Sequence, residues 1–249
     1  MDENPKRQKL HDKAKLNAIV STTPARLAVG RVGSRPPVGS WLKFRHDHAV
    51  ARDAVASELS DRFLDSFAHK RQFPVCKSLA CHRADFILNP PKGKLVSPAD
   101  LQRLKQLCLS GRDVQIVIAD GLSAQAVEAN IENLLPMLEA GLTFENITFG
   151  LPVVVLSGRV AVADQIAHAL GARLAINLIG ERPGLSSGVG LSAYITYNPG
   201  PDTISSHRTV VSNIQAHGTP APEAGAYIVQ LVKKIFEHQV SGVELQKLL

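Results

Sequence analysis

From residue 113 onward, apolar positions gather into short unbroken runs, separated by longer stretches in which they recur every three or four residues. Residues 114–119, 152–156 and 174–179 are such runs and read as strands buried on both faces. Between them, residues 124–140 and 161–170 carry the helical period. Residues 222–237 form a last amphipathic stretch, with Tyr227, Ile228, Leu231, Val232, Ile235 and Phe236 on one side. Ser123 is placed to cap the first of these helices, Pro136 to kink it, and Gly171 to stop the second. A fourth strand is expected over 192–197. The alternation predicts an α/β fold, a mostly parallel sheet with flanking helices and right-handed crossovers.

Upstream of residue 113 the pattern is looser. Ser97-Pro98 starts a helix well, because a serine hydroxyl accepts from free amides and proline fits the first turn. Residues 79–88 read as partly extended, ending at Asn89-Pro90-Pro91. Residues 40–59 repeat apolar positions with helical period and predict an amphipathic helix. Between them and the start, Arg26, Arg31 and Arg35 stand among glycines and prolines, so a loop presenting guanidinium groups is expected. Residues 1–22 are polar and lysine-rich, a short helix or a mobile arm. The division is therefore a basic arm at 1–22, a smaller, mainly helical N-terminal portion at 23–97, and the α/β body at 98–249.

Three turns follow predicted strands: Asp120-Gly121-Leu122-Ser123, Ser157-Gly158-Arg159-Val160 and Gly180-Glu181-Arg182-Pro183-Gly184. In a parallel sheet all three open onto the crevice beyond the strands' carboxyl ends, where ligands bind. Glycine there lets main chain approach a bulky ligand.

The chemistry of a self-sufficient enzyme is thin. Asp120 and Glu181 are the one candidate acid/base pair, and each suits equally the capping of an amide or the holding of a ligand group. Gly188-Val189-Gly190-Leu191-Ser192-Ala193 has glycines like those of a dinucleotide fingerprint, but it precedes a strand instead of opening a helix. Cys76, Cys81 and His82 lack a second ligand pair at metal-site spacing, and His168, His207 and His217 read as surface or core histidines. No residue is assigned to catalysis or to a metal.

Charge changes the picture little. The net charge of +6 is concentrated in the first 45 residues. With no aromatic-rich nucleic-acid module beside it, this excess reads as a solvated arm or a surface facing an acidic partner. Three cysteines without a Cys-x-x-Cys pair suggest a reducing cytoplasm, the charged start is no secretory signal, and no run suggests a membrane span. Pattern alone thus gives a binding module without a named ligand.

The motifs add one. Residues 113–123, Gly158-Arg159-Val160, Gly180-Glu181-Arg182-Pro183-Gly184-Leu185, Arg208-Thr209-Val210-Val211-Ser212-Asn213-Ile214 and Gly218-Thr219-Pro220 resemble, in order, the small (light, β) subunits of ethanolamine ammonia-lyase. Ala25-Arg26, Gly30-Arg31 and Arg35-Pro36 match as well, so the resemblance runs from about residue 20 to the C-terminus. It implies a Rossmann-like domain in an adenosylcobalamin-dependent lyase that converts ethanolamine to acetaldehyde and ammonia. The corrinoid would lie between this chain and a large (heavy, α) subunit that holds the substrate. By motif match Val160, Glu181 and Val210 would touch the cofactor, although cysteine is familiar at the last position. Arg26, Arg31 and Arg35 would face the large subunit. Asp-x-His-x-x-Gly does not occur, which implies that the cofactor keeps its own dimethylbenzimidazole on cobalt.

Two alternatives stay open: a stand-alone small-molecule enzyme using Asp120 and Glu181, and Glu181 as a loop carboxylate paired with Arg182 or Arg159. Longer relatives carry an N-terminal extension linked to packaging in a bacterial microcompartment. Here only about twenty polar residues precede the shared region, which leaves a cytoplasmic and an encapsulated location both open.

Overall fold

The structure, a computed structural model, describes residues 14–23, 25–185 and 187–248. They fall into two compact units, one running to Ala51 and including the Gly184–Ser187 segment, the other holding the rest. The basic arm expected at 1–22 lies outside the described residues up to position 13, and residues 14–21 are helical. Among the described residues no helix is long and apolar enough to cross a membrane.

In the first unit, residues 25–37 form the expected loop, with Gly30 and Gly33 at positive φ and Val32 bridging Arg35. Arg26, itself exposed, ion-pairs with Asp47, and its guanidinium lies 5.7 Å from the Phe44 ring centre. Helix α1, Val38–Ala56, starts here and continues into the second unit. It is present where the period predicts it, but Ala54 is its one buried residue. Lysine, arginine and aspartate interrupt its apolar stripe, and Trp41 and Leu42 stay 48% and 59% exposed.

The second unit is built on a six-stranded sheet: β1 Val75–Lys77, β2 Val114–Ala119, β3 Val153–Leu156, β4 Leu174–Gly180, β5 Leu191–Tyr197 and β6 Arg208–Ile214, in the order β1-β3-β2-β4-β5-β6. The first four strands in that order pair in parallel, whereas β5 runs antiparallel to β4 and to β6. The antiparallel turn has a simple cause. Residues 181–190 are too few to carry the chain back over the sheet, since a parallel crossover needs a dozen or more residues. β6, whose positions are half exposed, escapes the apolar-run criterion altogether.

Further helices are α2 Arg83–Leu88, α3 Pro98–Leu107, α4 Ala124–Phe144, α5 Val162–Ala169 and α6 Ala221–His238. On one face α4 and α6 pack over Ile116, Ile118, Ile176, Leu178, Ala193 and Ile195, all buried. On the other, α3 and α5 cover Val117, Val153, Val155 and Ala175. Each strand from β2 to β4 is thus sandwiched, which is why its sequence is an apolar run and not an alternation.

The predicted caps hold: the Ser97 hydroxyl accepts from Asp100 N at 3.0 Å and that of Ser123 from Ala126 N at 3.2 Å. Helix α4 continues through Pro136 and past Gly141 to Phe144. Gly141 serves as a contact rather than a stop, because a Cβ there would meet Val229 Cγ2 of α6 at 2.6 Å. Within residues 79–88, expected to be partly extended, residues 83–88 form α2, capped where His82 Nδ1 accepts from Asp85 N at 3.2 Å.

Candidate functional site

The chain turns back at β2: the β2–α4–β3 connection covers one face, and the β3–α5–β4 connection covers the other and places β4 on the far side of β2. A crevice opens at such a switch between the turns that follow β2 and β4. Here those turns touch through main chain. Gly180 O accepts from Leu122 N at 2.9 Å, and a Cβ on Gly180 would lie 1.9 Å from Ser123 O. Gly121, at φ +57°, likewise leaves no room, since its Cβ would stand 2.1 Å from Gly180 O.

Asp120 binds the third turn to these two. It is 1% exposed, one carboxylate oxygen accepts from Gly158 N at 3.1 Å, and the other faces Arg83 Nη1 at 3.4 Å. Burial pushes its carboxyl up to about 6 despite those donors, and burial pulls Arg83 down despite Asp120. Both directions say that desolvation outweighs the attraction between the pair. Asp120 is therefore a structural clamp with both oxygens occupied, out of reach of a ligand.

The three residues singled out by motif lie around one strip of sheet surface. In register, Asn177 on β4 stands opposite Tyr194 on β5, and Tyr194 opposite Val210 on β6. All three belong to the face away from α4 and α6, because their neighbours Ile176, Ile195 and Val211 point into that core. Helix α5 covers this face over β2 and β4, whereas α6 lies on β5 and β6 from behind. The strip beyond β4 is accordingly open, and Val210 is 46% exposed.

Asn177 Nδ2 donates to Val160 O at 2.9 Å, and Tyr194 Oη donates to Glu181 Oε1 at 2.8 Å. Val160 and Glu181 are both partly exposed. Among the described residues no arginine ion-pairs with the Glu181 carboxylate: Arg159 is stacked on Phe86 at 4.2 Å and donates to Phe86 O. Two buried atoms of the strip, Asn177 Oδ1 and Ser192 Oγ, have no partner among the described residues.

Beside Val160 the strip leads into a cleft of about 940 Å³ whose lining includes Asp164, His168, Ile204 and Arg208. At its base Arg208 Nη2 and Nε donate to Asp164 Oδ2 at 2.6 and 3.2 Å, an ion pair with both side chains less than a tenth exposed. This pair ties β6 to α5 and fixes the backbone next to Val210.

The accessible part of the site offers apolar surface and one hydrogen-bonded carboxylate, which suits the binding of a ligand better than a reaction driven by paired acids. Among the described residues no group of three or more His, Cys, Asp or Glu is arranged to hold a metal. Tyr194, Asn177 and the Arg208–Asp164 pair were missed by the sequence reading. Asn177, a lone amide inside an apolar strand, was the available signal.

Compared with known proteins, residues 13–246 match the sequence model of the family described as ethanolamine ammonia-lyase light chain (EutC). The ethanolamine ammonia-lyase small subunit of Fusobacterium nucleatum is 41% identical over 224 residues, which cover 90% of this chain and 75% of the relative. That of Clostridium tetani is 42% identical over 224 residues, with 90% and 74% covered. That of Clostridium acetobutylicum is 38% identical over 231 residues, 93% of this chain and 94% of the relative.

Proposed function

The chain belongs to the ethanolamine ammonia-lyase light-chain family, as the small subunit of an ammonia-lyase complex, and we propose that its open sheet strip is one wall of an adenosylcobalamin site shared with the large subunit. In this reading residues 98–249 form a Rossmann-like cofactor domain, and residues 23–97 face the large subunit, which holds ethanolamine. Bound adenosylcobalamin supplies the radical chemistry that converts ethanolamine to acetaldehyde and ammonia.

The observation that carries the reading is the convergence of Val160, Glu181 and Val210 on the Asn177–Tyr194–Val210 row. A corrin is broad and apolar in its plane and edged with amide side chains. Val160 and Val210 would give the apolar contact, and the Glu181 carboxylate would accept from an edge amide. This chain's tasks are to bind, to orient and to keep water from one side of the site. The competing acid/base reading has little support, since Asp120 is sealed behind Gly158 and Arg83.

For the partner surface, the exposed Trp41 and Leu42 and a groove of about 810 Å³ lined by Leu27, Val29, Trp41 and Phe44 supply apolar area for a subunit contact. Arg31 and Arg35 remain outward, whereas Arg26 is engaged by Asp47.

The test is Glu181→Ala in the complex with its large subunit, with adenosylcobalamin affinity read from visible absorption. Removing a hydrogen bond to a charged acceptor weakens binding about 10- to 100-fold. Unchanged affinity with a lowered melting point would return Glu181 to a purely structural role.

A further inference from the structure

Val160 and Glu181 lie on different turns, after β3 and after β4, yet each is held from below by one member of a directly opposed cross-strand pair. Asn177 on β4 donates through Nδ2 to the Val160 carbonyl, and Tyr194 on β5 donates through Oη to the Glu181 carboxylate. Strand register fixes these two side chains relative to each other more tightly than any loop could, because the ladder between β4 and β5 runs unbroken from Leu174–Tyr197 to Gly180–Leu191. Tyr194 is also the cross-strand neighbour of Val210, so the third contact stands on the same row.

Neither residue is explained by packing alone. Asn177 is 1% exposed in a strand otherwise made of apolar residues and glycine, where a leucine or valine would serve the core without an amide to satisfy. Its own Oδ1 has no partner among the described residues. Tyr194 occupies a position where phenylalanine would bury the same ring. Its hydroxyl is pushed up to about 12, by burial first and then by the Glu181 bond, so it remains a donor across the working pH range.

We propose that Asn177 and Tyr194 are positioning residues for the cofactor wall: a rigid cross-strand pair that sets the separation between the Val160 backbone and the Glu181 carboxylate. The proposal rests on the cobalamin reading of Val160 and Glu181. It adds that the glutamate binds well only because a tyrosine hydroxyl on the neighbouring strand fixes one of its oxygens and leaves the other for the ligand. A carboxylate on a glycine-flanked loop would otherwise sample many rotamers, and ordering it on binding would weaken affinity.

A double-mutant cycle tests this, with Tyr194→Phe, Glu181→Ala and the double variant each assembled with the large subunit and titrated with adenosylcobalamin. Tyr194→Phe alone is expected to weaken binding about 3- to 10-fold with an unchanged melting point. Added to Glu181→Ala it should change nothing further, because its action runs through the Glu181 carboxylate. A Tyr194→Phe complex that binds as the parent does, while Glu181→Ala is impaired, would overturn the positioning role and leave the cofactor reading standing. Equal losses in both backgrounds would also overturn it, by making Tyr194 an independent contact. If neither variant changed affinity, the cofactor reading itself would fall. A separate arm, Asn177→Ser, shortens the side chain beyond reach of Val160 O, and its loss should multiply with that of Tyr194→Phe since it acts through the other turn.

Discussion

Gly180→Ala is the sharpest perturbation of the crevice. The new methyl group would stand 1.9 Å from Ser123 O, well over an ångström inside ordinary contact, and 2.6 Å from Asp120 O, both main-chain atoms. Relief requires the turns after β2 and β4 to separate. That motion stretches the 2.9 Å bond from Leu122 N to Gly180 O and drags Ser123, the cap of α4, away from Ala126 N. One lost main-chain bond, a weakened cap and residual overpacking together give about 3–5 kcal/mol. Gly190→Ala is the matched control ten residues on: nothing lies within 4 Å of its Cβ, so it should stay within about 0.5 kcal/mol of the parent. Urea unfolding of the isolated chain, followed by far-ultraviolet circular dichroism, compares the two. Similar midpoints for both variants would refute the claim that the turns are locked main chain to main chain.

Two further predictions concern the buried charges. The raised carboxyl of Asp120 means that its neutral form is favoured in the fold, so its contribution is whole below its ordinary value of 3.8 and is lost as pH rises through about 6. Asp120→Asn, which keeps an acceptor for Gly158 N, should therefore gain in melting temperature relative to the parent from pH 4 to pH 7, and a constant difference would contradict this. Asp164→Asn strands Arg208 without a counter-ion and should lower stability by about 3–5 kcal/mol, whereas Asp164→Leu with Arg208→Met should recover most of it in the same unfolding assay.

Much of this architecture could be read from the chain, and the reasons differ by element. Strands β2 to β4 announce themselves because helices cover both faces, which forces unbroken apolar runs; Ser97 and Ser123 mark helix starts because a free amide needs a partner. β1 is three residues long and owes its place to its ladder with β3, a long-range pairing with no local signature. β6 mixes buried and exposed positions, so apolar-run logic passes over it. Orientation of β5 was legible in principle, from a connection too short for a crossover. The three strand-end turns stood out by their glycines, but Val160, Glu181 and Val210 came from motif resemblance and not from pattern. Asn177 and Tyr194 matter because of which strip of sheet the helices leave open, and that depends on where α5 ends in space.

Ethanolamine deamination is to be measured with adenosylcobalamin for the purified chain alone, for its large subunit alone and for the two together. A chain that supplies a cofactor wall and no complete active site, as proposed, gives turnover only in the mixture; full turnover by this chain alone would overturn that proposal.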